Sequence, residues 1–162
     1  MKRTLLFLTM IFVVSNTYSQ QKKLYDPTAD ARADIQAILK IAAAQNKHVL
    51  LQAGGNWCGW CIEYDRFCKS DVQIDSLLKS NFILYHLNWS KENENRAIFR
   101  SYGYPQRFGF PVLIVLNANG DRIHIQNSEY LEDGNKSYNR EKVVSFLKNW
   151  SPSALDRSNY ND

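Results

Sequence analysis

Two cysteines separated by two residues, Cys58 and Cys61, are the side chains of this sequence best suited to chemistry. On a helix, positions i and i+3 lie about 5–6 Å apart, within the Cα separation that a disulfide bond tolerates. A helix that begins here also directs unpaired N–H groups and positive dipole at Cys58, which favours thiolate over thiol. The pair therefore has a nucleophilic sulfur and a resolving partner, the minimum apparatus for thiol–disulfide exchange.

The number of cysteines favours a redox role for them over a role in structural disulfides. The chain has three, and the third, Cys68, lies within eleven residues of the first. A secreted domain held together by disulfides distributes an even number along its length. Cys68 follows Cys61 by seven residues, about 10 Å along a helix and beyond disulfide reach. It is predicted to be a small buried hydrophobe, with a regulatory thiol as the alternative.

A zinc site is the metal hypothesis, because the two close cysteines and a histidine would form part of one. Structural zinc is held by four ligands, usually two closely spaced pairs, and no second pair is present. His48 and His124 are isolated in or beside predicted strands. The sequence therefore predicts neither a metal nor a cofactor.

The first residues have the order of a secretory signal peptide. Lys2 and Arg3 precede an apolar run of ten residues, 5–14, and small polar residues continue to Ser19. Ten residues are too few to span a bilayer, which needs about 20, although an uncleaved anchor is the alternative. We predict cleavage after Ser19 and an exported protein, periplasmic or extracellular, without stable membrane insertion.

Net charge gives little reason to expect a polyanionic partner. The chain has 20 basic and 16 acidic residues, and without Lys2 and Arg3 the basic count is 18. So small an excess does not favour nucleic acid or an anionic membrane as a partner.

Hydrophobic periodicity predicts alternating strands and helices. Helices are predicted at 30–45, 57–69, 71–80, 91–102 and 139–150, and strands at 48–53, 82–88, 112–116 and 122–125. Asn56 is expected to cap the second helix, and residues 126–138 receive no assignment. Strand–helix–strand units imply parallel pairing, and a hairpin adds antiparallel edge strands. We expect a domain at 20–150 and a polar tail at 151–162.

With these elements in place, the chain from 30 to 150 resembles the thioredoxin superfamily. Three features carry the resemblance: Trp57-Cys58-Gly59-Trp60-Cys61 at a strand-to-helix junction, Gly109-Phe110-Pro111-Val112 before a strand, and a terminal hairpin and helix. Cys61-Ile62-Glu63-Tyr64-Asp65 and the following Ser70-Asp71 are similar to exported members, including the C-terminal domain of transmembrane disulfide reductases. The resemblance implies an α/β, thioredoxin-like fold, a mixed central sheet with helices on both faces.

The resemblance also implies roles for individual residues. Cys58 matches the attacking cysteine and Cys61 the buried resolving one. Pro111 matches a cis-proline that faces the dithiol, so that the backbone of Phe110 pairs with an extended substrate strand. Trp57 matches the tryptophan of the motif, with a secondary role in recognition.

The sequence departs from the family between its two cysteines and beneath them. Trp60 replaces the common proline, and we expect it to be an exposed contact for the partner. Gln52 occupies the position of a buried aspartate, and His86 that of its lysine partner. Asp65 and His86 are the candidates for proton transfer in their place, against the alternatives of a solvated helix charge and a hydrogen-bonded strand histidine.

Two classes of function follow from the sequence. The first is a protein thiol–disulfide oxidoreductase that reduces disulfides of exported proteins and is recharged by a separate redox partner. An isomerase or oxidase of the same fold is the alternative within this class. The second is a non-catalytic binding module whose dithiol stays a static disulfide.

Overall fold

The computed structural model describes residues 23–160, so the predicted signal peptide lies outside the described residues. Five α-helices and four strands follow one another in this range: α1 (Ala31–Ala44), β1 (His48–Gly54), α2 (Gly59–Ser70), α3 (Val72–Asn81), β2 (Phe82–Asn88), α4 (Arg96–Ser101), β3 (Val112–Leu116), β4 (Arg122–Asn127) and α5 (Arg140–Asn149). Between residues 23 and 160 there is no helix with the length and apolar character needed to cross a membrane.

The four strands form one mixed sheet in the order β2-β1-β3-β4. β1 is parallel to β2 and antiparallel to β3, and β3 is antiparallel to β4. The mixed sheet is as predicted, but the expectation that both hairpin strands lie at an edge is wrong for β3. All five β3 residues are apolar and buried, so this strand takes an interior position, and the more polar β4 occupies the edge.

Helices cover both faces of the sheet, as expected. Every residue of β1 is buried, because alternate side chains enter two different cores. Leu50 packs with α2, α3 and α5 on one face, and Val49 and Leu51 pack with α1 and α4 on the other. The face covered by α2 also holds Gln52, so this residue lies beneath the helix that carries the cysteines.

Most predicted boundaries agree with the structure to within two residues, but the predicted helix at 91–102 is shorter. It begins only at Arg96, because Asn95 adopts a left-handed conformation with φ 48°. Before it, the backbone N–H groups of Ser90 and Asn93 each donate to the other residue's carbonyl and close a turn.

The unassigned residues 126–138 form a short structured excursion. β4 extends to Asn127, a 3-10 turn follows at Ser128–Leu131, and Glu132 pairs with Tyr138 in an isolated antiparallel bridge. This bridge places Tyr138 on the face of the sheet that α2 covers, where it is part of the core. Beyond α5, residues 153–159 contain two further 3-10 turns.

Candidate active site

Cys58 and Cys61 are joined by a disulfide bond at the start of α2. The two sulfurs are 2.08 Å apart and the two Cα atoms 5.2 Å apart, which agrees with the separation expected from helical spacing. The residue that caps the helix is Cys58 itself, not Asn56 as predicted, and its sulfur accepts the backbone N–H of Cys61 at 3.1 Å. The Cys58 sulfur therefore lies at the positive end of α2.

The two cysteines differ in their access to solvent. Cys58 keeps 5% of its surface exposed, whereas Cys61 is completely buried. A partner that approaches from solvent meets the Cys58 side of the bond first.

Three aromatic residues, Trp57, Trp89 and Phe110, pack together beside the cysteine motif, and we call them the aromatic edge; Phe110 packs against the cluster that holds both cysteines. The peptide bond between Phe110 and Pro111 is cis, as the resemblance implied. Trp57 is 60% exposed, packs edge-to-face on Phe110 at 5.7 Å between ring centroids, and donates its indole N–H to the Trp89 carbonyl at 2.7 Å. Trp89, which the sequence analysis missed, packs on Phe110 from beneath. Its signal was an aromatic residue directly after a strand that leads to the site.

Trp60 lies on the other side and is half-buried, so the prediction that it is exposed is wrong. Its ring packs edge-to-face on Tyr138 at 5.5 Å, and the Tyr138 hydroxyl donates to the Trp60 carbonyl at 3.2 Å. The excursion at 128–138 supplies this partner, and no local pattern around Trp60 indicates it.

Four side chains beneath Cys61 form what we call the polar cluster: Tyr25, Gln52, Asp65 and His86. Gln52 lies at its centre, and its amide nitrogen donates to the Cys61 carbonyl and to the Tyr25 hydroxyl, each at 2.9 Å. His86 is the register partner of Gln52 on the parallel strand β2, and its ring meets that of Tyr25 edge-on at 5.4 Å. The position of the family's buried aspartate is thus taken by a neutral hydrogen-bond donor.

The structure brings the two predicted proton-transfer residues together. Asp65 Oδ1 is 3.3 Å from His86 Nε2, close enough for an ion pair although not aligned as a hydrogen bond, and Asp65 Oδ2 accepts from Lys69 at 2.8 Å. Burial acts to raise the pKa of the Asp65 carboxyl, but His86 and Lys69 outweigh it, so that pKa lies below its ordinary value. Asp65 therefore holds a negative charge beside the histidine at neutral pH.

A cavity of about 360 Å³ adjoins the polar cluster between α2, α3 and β2. Gln52, Asp65 and Cys68 are among the residues that line it, with an apolar wall that includes Leu84. The side-chain oxygens Gln52 Oε1 and Asp65 Oδ1 are buried without a hydrogen-bond partner in the described chain.

Tyr25 is the site residue that sequence analysis missed most completely. It is fully buried and packs with Cys58 and Cys61 in one small cluster. Asn56, which was expected to cap α2, instead binds the Tyr25 backbone: its oxygen accepts the Tyr25 N–H at 3.0 Å and its nitrogen donates to the Tyr25 carbonyl at 2.7 Å. The one available signal was an apolar pair, Leu24 and Tyr25, ahead of the first helix.

Cys68 is buried and unbonded, as predicted. Burial raises the pKa of its thiol to about 12, so it carries no thiolate at neutral pH. Within residues 23–160, no group of three or more His, Cys, Asp or Glu side chains is arranged to hold a metal ion.

Comparison with known proteins agrees with this geometry. A family model described as thioredoxin-like matches residues 30–118. The thiol:disulfide interchange protein DsbD of Haemophilus ducreyi is 25% identical over 84 residues, which are 52% of this chain and 14% of that protein. The chain thus spans about one seventh of the length of this curated relative.

Solved structures show the same fold. A protein described as a disulphide isomerase from Xylella fastidiosa Temecula1 superposes with a TM-score of 0.68 at 23% identity, over 78% of this chain and 95% of that one. The C-terminal domain of Neisseria meningitidis DsbD, in its oxidised form, does so with a TM-score of 0.53 at 18% identity, over 74% and 95%. The family model matches more than half of this chain, which therefore belongs to the thioredoxin-like family.

Proposed function

We propose that this protein is a thiol–disulfide oxidoreductase that reduces disulfides of exported proteins. The observation that carries the proposal is a Cys58–Cys61 disulfide at a helix start, in which Cys58 keeps a small exposed surface and Cys61 is completely buried. Similarity to a thiol:disulfide interchange protein supports disulfide exchange, and the direction of reduction follows the resemblance of residues 61–65 to exported disulfide reductases. An export signal at 1–19 and a location in the periplasm or outside the cell belong to the same proposal.

The reaction begins with the dithiol form. The Cys58 thiolate, stabilised at the positive end of α2, attacks one sulfur of a substrate disulfide. A bond forms between Cys58 and that sulfur, the substrate S–S bond breaks, and the second substrate sulfur leaves as a thiolate that takes a proton from solvent. The product of this step is a mixed disulfide on Cys58.

Resolution follows from within the protein. Cys61 loses its proton and attacks the Cys58 sulfur, the Cys58–substrate bond breaks, and the substrate leaves with both sulfurs reduced. We assign the removal of that proton to the Asp65–His86 pair, of which Asp65 lines the cavity. The oxidised protein then needs a separate redox partner to restore its dithiol.

Substrate binding is assigned to the surface around Cys58. The exposed face of Trp57 offers an apolar contact, and the backbone of Phe110 before the cis-Pro111 offers hydrogen bonds to an extended strand. Trp60 contributes only the part of its ring that Tyr138 leaves uncovered.

Trapping tests the proposal directly. Cys61→Ser leaves the attacking sulfur without a resolving partner, so we expect mixed disulfides with exported proteins to accumulate on Cys58. Two matched controls use the other cysteines: Cys58→Ser should trap nothing, and Cys68→Ser should behave as the unchanged protein. Failure of Cys61→Ser to form adducts contradicts the proposal.

The reduction potential separates the exchange enzyme from a binding module with a static disulfide. Exchange proteins of this kind have potentials from about −270 to −120 mV, whereas structural disulfides lie below about −300 mV. We expect a potential between about −270 and −120 mV. A potential near −270 mV would favour reduction of substrates over their oxidation. Equilibration with glutathione or dithiothreitol buffers measures it.

A further inference from the structure

The Tyr25 hydroxyl and the Cys61 sulfur both lie beside Gly54. A Cβ atom built on Gly54 would lie 2.4 Å from the Cys61 sulfur and 3.0 Å from the Tyr25 hydroxyl oxygen, so the two atoms are close to the same point. The side chain is fixed there, because Asn56 binds the backbone of Tyr25 through two hydrogen bonds and the ring is fully buried.

The direction of the hydrogen bond from Gln52 leaves the Tyr25 proton free. One atom of the Gln52 amide faces the Cys61 carbonyl, which only accepts, so that atom must be the nitrogen. The same nitrogen therefore also donates to the Tyr25 oxygen. Among residues 23–160, the Tyr25 hydroxyl donates to no acceptor while the disulfide is closed.

We infer that Tyr25 is the hydrogen-bond donor that stabilises the Cys61 thiolate during the resolving step. The inference rests on the proposed disulfide exchange and adds to it a residue outside the cysteine motif. When the Cys58–Cys61 bond is open, the Cys61 sulfur becomes a buried anion that needs a donor, and the Tyr25 proton is available.

The Tyr25 hydroxyl keeps its own proton in this role. Burial raises the pKa of the phenol well above its ordinary value, with the hydrogen bond from Gln52 acting in the opposite direction and the charge of Asp65 raising it further. The Cys61 thiol proton leaves by the Asp65–His86 pair, and the electron pair on sulfur forms the new bond to Cys58. The other ionisable groups around Tyr25 are Asp65 from α2, His86 from β2 and Tyr138, with Lys69 bound to Asp65.

Tyr25→Phe tests the inference, because it removes one oxygen atom and keeps the ring. Reduced protein is mixed with glutathione disulfide, quenched with acid at successive times, and analysed by mass for the glutathione adduct on Cys58. A hydrogen bond to a buried anion is strong enough that its loss should slow decay of the adduct about tenfold or more. The pH midpoint of that decay should rise by about one pH unit, whereas the rate of adduct formation should change less than about twofold.

The matched control is Tyr85→Phe, which removes a hydroxyl bound to Asp34 on the opposite face of the sheet. It should leave both steps unchanged. A circular dichroism spectrum that matches that of the unchanged protein shows that Tyr25→Phe is folded, so unchanged decay and an unchanged pH midpoint would overturn the role of Tyr25 alone. Absence of any Cys58 adduct in Cys61→Ser, which cannot resolve it, would instead overturn the proposed exchange.

Discussion

The two sides of the disulfide are built in opposite ways. On the Cys58 side, the aromatic edge is open, and Trp57 exposes more than half of its surface. On the Cys61 side, the polar cluster is closed in, with Tyr25 completely buried and Gln52 1% exposed. The open side has the features of a surface for binding a partner, and the closed side has those of a site that controls ionisation.

This difference predicts that the two sides affect different measurable quantities. Changes at the aromatic edge should alter affinity for the substrate, since its side chains contact what arrives from solvent. Changes in the polar cluster should alter the stability of the protein and the rate of the resolving step, since its side chains contact Cys61 and one another. Substitutions of matched size on the two sides can therefore separate binding from chemistry.

The largest expected effect is on the free energy of unfolding, when a glycine beneath Cys61 or one beside Cys58 is replaced by alanine. Gly54→Ala puts a Cβ atom 2.4 Å from the Cys61 sulfur, whereas Gly59→Ala meets nothing within 4 Å. Overpacking of this kind costs about 1–3 kcal/mol, so Gly54→Ala should lower the free energy of unfolding by that amount. Gly59→Ala should leave it unchanged or raise it by up to about 1 kcal/mol.

Urea denaturation of the two oxidised variants makes the comparison. Equal stabilities for Gly54→Ala and Gly59→Ala would mean that the interior beneath Cys61 is not closely packed.

A smaller effect is expected at the aromatic edge. Trp57→Ala removes an exposed ring and its contact with Phe110, and such aromatic contacts contribute about 0.5–1.5 kcal/mol beyond burial. We expect KM for a disulfide-containing peptide to rise about fivefold, with kcat changed less than about twofold. Tyr130→Ala, which removes an even more exposed aromatic residue from the excursion, is the control and should change neither KM nor kcat. A fall in kcat alone would assign Trp57 to the chemical step.

The cysteine pair and most helices and strands could be predicted because their signals are local. The apolar run of β1 and the helical spacing on α1 each lie within one segment of the sequence. The start of α4 at Arg96 was missed because Asn95 adopts a left-handed conformation, which Asn takes only in some settings. Local patterns are therefore informative about elements and less so about where they begin.

The surroundings of the disulfide could be predicted only in part, because they depend on contacts between distant segments. Asn56 has a side chain suited to capping a helix, but both hydrogen bonds of its amide are made with the backbone of Tyr25, 31 residues earlier. Trp60 is covered by Tyr138, 78 residues later, so its position within the motif did not reveal its exposure. Asp65 and His86 were each predicted as candidates for proton transfer, but their contact was not predicted, because it depends on how α2 packs on β2.

The smallest expected effect tests the electrostatic side of the polar cluster. Asp65→Asn removes the charge that Lys69 and His86 stabilise, and because the Lys69 end of the pair is exposed we expect a loss of about 0.5–1 kcal/mol at pH 7. The pKa of Asp65 is lower in the folded protein than its ordinary value of 3.8, so its contribution is fully present above about pH 4 to 5 and is lost as the pH falls through the folded pKa. The stability difference between the unchanged protein and Asp65→Asn should therefore shrink towards pH 3.

Asp75→Asn is the control, since Asp75 and Lys79 have the same spacing on α3. Urea denaturation from pH 3 to 7 measures both, and a pH-independent difference for Asp65→Asn would show that its carboxylate contributes no charge-dependent stability beneath Cys61.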